Sequence, residues 1–303
     1  MTINSEFPVV IFLYKRPELT LKLLTQVVDS GVKKIYIFAD GPKNTSEKIL
    51  TDKVKSIVTA FTQAKSELVL TVTYALHNIG LQNSIVTGLT QVFSTNQAAI
   101  ILEDDCIPNR DFYPFTSELL IKYQNESKIM SVTGTSVGQI NKYSYNFSKY
   151  ELCWGWATWS RAWKLFDPNM ALLATDNWAE ISRQLWPSPF LRWYFTNILN
   201  LTKVGQVNSW AFKWSYSHFV HVGLAIVPNR NLVSNVGFDR AATNTRKNSP
   251  LANRMTEKLN FPLIHPPRVR ENVKLNKEIE KQYYTNIIAW LGMFRQVIYR
   301  IIK

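Results

Sequence analysis

Three consecutive carboxylates, Glu103-Asp104-Asp105, follow directly on the apolar run Ala98-Ala99-Ile100-Ile101-Leu102. Acidic side chains at the end of a buried strand are costly to desolvate unless a cation satisfies them. Hard divalent ions prefer carboxylate oxygens, and such an ion can join a protein carboxylate to a diphosphate and neutralise a leaving group. An exposed acidic loop, or a helix start capped by Asp111, would explain the same triplet without any ligand. The strand in front of the triplet favours the metal.

The elements that must position these groups alternate between strand and helix over the first 135 residues. Residues 8–14 form a continuous apolar run, as in a strand covered on both faces. Pro17 and Glu18 suit a first helical turn, Leu19, Leu23, Leu24, Val27 and Val28 give one apolar face, and Gly31 ends it. Residues 34–39 read as a second strand closed by Asp40-Gly41-Pro42, 46–63 as a helix, and 68–76 as a third strand. Ile85, Val86, Leu89, Val92 and Phe93 have helical spacing, residues 98–102 are a fourth strand, and 129–133 a fifth. This order implies a mostly parallel sheet flanked by helices, an α/β fold whose ligands bind beyond the carboxyl ends of the strands. Lys15-Arg16, Asp40, His77-Asn78 and the acidic triplet would then feed one crevice.

The chain has 303 residues with a net charge of +13 and a pI near 9.6. Such a surface attracts polyanions, but no block of Lys and Arg or nucleic-acid motif accompanies it, so nucleic acid is not expected as a partner. Two cysteines, Cys106 and Cys153, exclude a disulfide framework and a structural zinc site. Neither a signal peptide nor a membrane-spanning segment is expected from the sequence, because its apolar runs are too short. A cytoplasmic protein is expected, free or peripheral on the inner face of the plasma membrane. Residues 1–135 read as the α/β half that carries the crevice and 136–265 as an aromatic-rich second half of the same domain, with 266–303 a helical tail. Within that tail, residues 283–303 have the pattern of a basic amphipathic helix, which fits either a membrane surface or the protein's own core.

Several segments match one family in order. They are Phe12-Leu13-Tyr14-Lys15-Arg16-Pro17, Phe38-Ala39-Asp40-Gly41, Asn78-Ile79-Gly80-Leu81, and Ile100 to Asp105 with Pro108, Asp111, Phe112 and Phe115. Cys153-Trp154-Gly155-Trp156 with Trp163, and the run from Asn231 to Phe238, follow. Together, over residues 8 to 246, the chain resembles the N-acetylglucosaminyltransferase I type of glycosyltransferase and its bacterial relatives. The resemblance implies a GT-A, Rossmann-like fold with an aromatic acceptor lobe, a nucleotide-sugar donor, and a divalent metal, commonly Mn2+ with Mg2+ as the alternative. By position, Asp105 would be the metal ligand, Asp104 would contact the ribose and Glu103 would support the site. Arg16 and Asp40 would hold the nucleotide, with Asp40 favouring uridine. The implied reaction is inverting transfer from a UDP-sugar to a hydroxyl of a glycan or lipid-linked glycan acceptor, as in bacterial surface-glycan synthesis.

One position departs from the family. Its Trp-Asp-x-Trp type element supplies the carboxylate that deprotonates the acceptor, and here Ser209-Trp210-Ala211-Phe212-Lys213-Trp214 places alanine where the aspartate belongs. An inverting transfer needs a base within hydrogen-bond reach of the attacking hydroxyl. Glu151 is the first substitute and Asp239 the second. A non-catalytic nucleotide-sugar-binding protein is the alternative. Arg240 and Arg246 flank a loop that would close on the diphosphate, and His77 and Asn78 would touch the nucleotide. Trp156, Trp159 and Trp163 read as core, His218 and His221 as packed or exposed, and Cys106 as a small apolar residue. A nucleotidyltransferase would need a glycine-rich loop after the first strand, which Lys15-Arg16-Pro17 lacks.

Overall fold

A computed structural model describes residues 7–138, 140–238 and 253–284. The strands are β1 (Val9–Leu13), β2 (Lys34–Ala39), β3 (Val69–Tyr74), β4 (Ala98–Glu103), β5 (Cys106–Pro108), β6 (Ile129–Thr133), β7 (Tyr145–Ser148), β8 (Trp156–Trp159), β9 (Leu224–Pro228) and β10 (Val233–Asn235). The helices are α1 (Pro17–Asp29), α2 (Thr45–Ala64), α3 (Leu81–Phe93), α4 (Phe112–Lys122), α5 (Ser160–Trp163), α6 (Asp176–Leu185), α7 (Pro189–Lys203), α8 (Trp210–Val220) and α9 (Val273–Ile279).

An eight-stranded sheet runs in the order β3-β2-β1-β4-β8-β6-β9-β7. β3, β2, β1 and β4 are parallel, β8 is inserted antiparallel between β4 and β6, β9 is parallel to β6, and β7 closes the far edge antiparallel. The expected mostly parallel α/β sheet flanked by helices is therefore present. Side chains alternate across it with the two-residue period of a strand. Val9, Ile11 and Leu13 pack on one face with Leu23, Leu24 and Val27 of α1 and Val54 and Val58 of α2. Val10 and Phe12 pack on the other with Ile85, Leu89 and Val92 of α3. Every residue of β1 is buried, which is why the run is apolar without alternation.

The second half, where the sequence shows no regular alternation, contains three sheet strands and four α-helices among the described residues. Its core is aromatic. Tyr150, Trp186, Phe195, Tyr216 and Phe219 form one cluster, and Leu275 and Ile279 of α9 belong to it. Trp156, Trp163, Trp210 and Trp214 form part of another under the sheet, with ring centroids 5.3–5.9 Å apart for most neighbouring pairs. Trp156, Trp159 and Trp163 are core, as expected.

Two local expectations change. Asp111 does not cap α4 with its side chain; its Oδ2 accepts from the Leu259 amide at 2.8 Å, and Asn109 Oδ1 accepts from the Asp111 and Phe112 amides instead. The tail expected from residue 283 begins inside the fold, since Tyr284 packs on Tyr150, Tyr194 and Phe195. The rest of that tail, 285–303, lies outside the described residues. No described helix is long and apolar enough to cross a membrane.

His218 is fully buried on α8, edge-on to Trp214 with centroids 4.8 Å apart, and neither ring nitrogen has a hydrogen-bond partner. Burial lowers its pKa from 6.5 to about 3. The unfolded chain thus takes up this proton first, so the stability tied to a neutral His218 is complete above the unfolded pKa and falls away below it. His218→Leu should flatten the fall of the urea midpoint between about pH 6.5 and pH 4. An unchanged slope would assign the acid sensitivity to other groups.

Candidate active site

The chain reverses its direction of travel across the sheet between β1 and β4: β2 and β3 lie on one side of β1, and β4 lies on the other. In an open parallel sheet this point leaves a crevice beyond the strand ends. Here it is a cleft of about 540 Å3, lined among others by Tyr14, Arg16, Asp40, Asn78, the triplet Glu103-Asp104-Asp105 and Trp154. The first turn of α3 and the segment from Gln206 to Phe212 also line it.

Arg16 closes the carboxyl end of β1, and its guanidinium meets the triplet. Nη1 donates to Asp104 Oδ1 at 2.9 Å and to Asp105 Oδ2 at 2.7 Å. The Tyr14 amide donates to Asp104 Oδ2 at 3.2 Å, so main chain and side chain of one loop serve the same carboxylate. Burial disfavours the charge on Arg16, but Asp104 and Asp105 outweigh it and raise its pKa. Burial, together with repulsion within the triplet, holds the carboxyls of Glu103 and Asp104 above the ordinary range.

Asp40 is buried at the end of β2 and ties two loops together. Its Oδ1 accepts from the amides of Gly41 at 2.8 Å and Ile79 at 2.9 Å; its Oδ2 accepts from Asn78 Nδ2 at 2.8 Å and the Gly80 amide at 3.0 Å. Gly41 is required here, because a Cβ would fall 2.5 Å from the His77 carbonyl carbon. Asn78 lines the cleft, whereas the exposed His77 is not among its lining residues.

Glu47, which sequence reasoning missed, ties together Tyr14, Lys15 and Lys43, all of which line the cleft. It accepts from the Tyr14 hydroxyl, from Lys15 Nζ at 2.6 Å and from the Lys43 amide at 3.0 Å. Hydrogen bonds from Lys15 and Tyr14 lower its pKa to about 2. The signal was available: Asn44 caps α2 by accepting from the Glu47 amide at 3.0 Å, so Asn44-x-x-Glu47 is an N-terminal box whose acid faces back over the preceding loop.

Asp105 is backed by a two-stranded ribbon in which β10 pairs antiparallel with β5. The Val236 amide donates to the Asp105 carbonyl at 2.9 Å. Gly237 lies so close that a Cβ there would sit 1.9 Å from Asp105 Oδ2. The run from Asn231 to Phe238 thus braces the acidic triplet in the described residues.

Of the two base candidates only Glu151 is described, and it does not line the cleft. Ala211 lines it at the start of α8, where the family's aspartate was expected. Glu151 is 5% exposed and is not among the lining residues; its Oε1 accepts from Ser215 Oγ at 3.1 Å, its Oε2 has no partner, and burial raises its pKa to about 8. Asp239, Arg240 and Arg246 lie outside the described residues. Trp154, half-buried, is edge-on to Phe238 at 5.6 Å and 6.2 Å from the ring of Tyr283. The two histidines form no metal pair, since His218 is buried and His221 is exposed at the end of α8.

Among the described residues no three His, Cys, Asp or Glu side chains form a metal cage. The donor chemistry nevertheless suits a hard divalent ion shared with a phosphate, which characteristically uses one or two carboxylates rather than a full cage. Asp104 and Asp105 present oxygens to a common point, the one that Arg16 Nη1 touches. Two carboxylates, Asp104 and Asp105, meet one guanidinium, and the next cation along, Lys15, is held by Glu47.

No family model matches the chain, and no curated protein matches it. Some solved structures are weakly similar to it. One is a mannosyltransferase from Pyrobaculum calidifontis in complex with GDP-mannose and Mn2+, 14% identical over 51% of this chain and 46% of that one, with a TM-score of 0.38. The chain therefore spans less than half of that transferase. Another is a 4-diphosphocytidyl-2C-methyl-D-erythritol synthase from Anaerococcus prevotii, 9% identical over 54% and 75% of the two chains, with a TM-score of 0.36. A UDP-glucose pyrophosphorylase in complex with UDP-glucose is 9% identical over 53% and 79%, with a TM-score of 0.31.

Asp40→Ala removes the acceptor for four donors around the β2 and β3 loops. The loss should cost about 2–4 kcal/mol in urea unfolding, because amides are left unpaired. A cost below about 1 kcal/mol would mean that water replaces the carboxylate without strain.

Proposed function

We propose that the protein is a metal-dependent glycosyltransferase, taking a nucleoside-diphosphate sugar in the cleft and passing the sugar to a hydroxyl acceptor. The observation that carries this reading is the convergence of Arg16, Asn78 and the acidic triplet on one crevice at the β1–β4 switch point. Asp105 would hold the divalent metal, Mn2+ or Mg2+, with Asp104 beside it at the ribose. When bound, the metal would neutralise charge on the departing diphosphate.

The chain's own residues would do the rest. Arg16 brings a fixed positive charge with fork geometry suited to phosphate oxygens. The knot at Asp40 holds Asn78 at the cleft, and the Glu47 clamp holds Tyr14 and Lys15 there. A uridine nucleotide remains the favoured donor on the resemblance around Asp40, with Asp104 at the ribose and Glu103 supporting the site. Trp154 and Phe238 would offer an apolar wall to a sugar ring on the acceptor side. A glycan or lipid-linked glycan is the acceptor class we favour, with residues beyond Tyr284 meeting a membrane surface.

A second reading is supported by Ala211. With alanine lining the cleft at the expected base position, and Glu151 absent from its lining, the protein would bind a nucleotide sugar without transferring it. Release of free sugar or glycan product from the donor would dismiss that reading.

Two experiments follow. In calorimetric titrations of UDP, GDP and CMP with and without Mn2+, one nucleotide should bind only with metal, and Asp105→Ala should weaken it at least about tenfold. If folded wild-type protein binds none of the three in Mn2+, the donor-site reading falls. Separately, truncation after Tyr284 should abolish co-sedimentation with anionic vesicles while leaving the fold intact. Equal sedimentation of both forms would remove the membrane from the proposal.

A further inference from the structure

We infer that Arg16 is the resident counter-cation of the acidic triplet, and that it makes the cleft selective for a divalent metal paired with a nucleoside diphosphate over the metal ion alone. The inference rests on the donor-site reading above and concerns how that site chooses its ligand.

The geometry is unusual for an arginine whose task is to contact a phosphate. A single nitrogen, Nη1, spans Asp104 Oδ1 and Asp105 Oδ2, at 2.9 and 2.7 Å. One of those two oxygens belongs to Asp105, the residue that would hold a divalent ion. The backbone holds Arg16 there. Pro17 begins α1 immediately after it, and the Arg16 carbonyl accepts from both the amide and the hydroxyl of Thr20 at 2.9 Å. The side chain is 14% exposed, so little solvent screens it from the acids.

A divalent ion arriving alone therefore meets a like charge already seated on the oxygens it needs. It must either displace a charge-assisted pair or accept the repulsion. A diphosphate removes the conflict, because it brings negative charge for both cations. The two contacts to the triplet use Nη1, while Nε and Nη2 carry further N–H donors with no partner among the described hydrogen bonds. Those donors suit phosphate oxygens, so Arg16 can serve the triplet and the diphosphate from one guanidinium. Metal and nucleotide must then reinforce each other, and by linkage each does so equally for the other.

The signature is a pair of opposite effects from one substitution. Without nucleotide, Arg16→Gln should bind Mn2+ about tenfold more tightly than wild type, because the competing charge is gone. With Mn2+ present, the same variant should bind UDP or GDP about tenfold more weakly, because the fork is gone. A residue that merely supported the metal site would lose both affinities. One that merely touched the nucleotide would leave Mn2+ binding alone unchanged.

The test is Mn2+ titration of wild type and Arg16→Gln, read as free Mn2+ by electron paramagnetic resonance, followed by nucleotide titration at saturating Mn2+. Tighter Mn2+ binding by the variant supports the inference; unchanged or weaker binding by folded variant overturns it. If the variant fails to fold without a cation, circular dichroism during Mn2+ addition gives the same answer. Recovery of the fold by Mn2+ supports Arg16 as the counter-cation. No recovery by Mn2+, with normal folding of Arg16→Lys, overturns it. Wild-type protein that binds no nucleotide in Mn2+ would sink the donor-site reading instead, and the nucleotide-free Mn2+ comparison would still decide the role of Arg16.

Discussion

Glu103, Asp104 and Asp105 lie at the end of a strand covered on both faces, and Arg16 pairs with two of them, Asp104 and Asp105, where the acids crowd together. Burying like charges together is tolerated only where an opposite charge is supplied at hydrogen-bond distance. That need dictates the surroundings. β1 must lie beside β4 so that its outgoing loop can bring both Arg16 and the Tyr14 amide to Asp104. The β5–β10 ribbon must press from behind without a side chain at Gly237, or Asp105 would be pushed away from the guanidinium. The rims can then be built from polar knots that do not compete for the same charge, with Glu47 claiming Lys15 and Asp40 accepting from amides.

Much of this was legible in residue order. β1 to β4 fall within a residue or two of where apolar runs and turn residues put them, because strands buried on both faces leave a continuous signature and their helices a one-sided one. The crevice followed from topology, and all four polar strand ends expected to feed it do line it, the third through Asn78 alone. What could not be read was pairing between side chains. Asp40 was expected at a nucleotide; its hydrogen bonds in the structure go to the adjacent Gly41 amide and to three donors 38 to 40 positions away, at Asn78, Ile79 and Gly80. His77 and Asn78 are neighbours in sequence, yet only Asn78 lines the cleft.

The second half was opaque for a different reason. Its core is built from large rings rather than from one periodic aliphatic face, and rings pack from any direction with only loose demands on spacing. Trp186, Tyr150 and Phe195 belong to a turn, a loop and a helix, yet they stack within one cluster. No local period announces such a cluster. Nor could Glu151 be located by sequence, since its proximity to the Gly-Trp segment suggested the cleft while its carboxylate is buried against Ser215.

The order of strands also governs how the protein can be assembled. The first four sheet strands, β3-β2-β1-β4, come from residues 9 to 103 and need nothing from the rest of the chain to pair. The strand that completes β4 on its other side is β8, and it arrives only at residue 156. During synthesis β4 therefore waits with a bare hydrogen-bonding edge, apolar and bearing the triplet at its tip, while more than fifty further residues are made. Such an edge is a template for unwanted pairing. The same triplet that makes the site then carries a second benefit, since a block of negative charge at the end of an exposed apolar strand discourages other strands from adding to it.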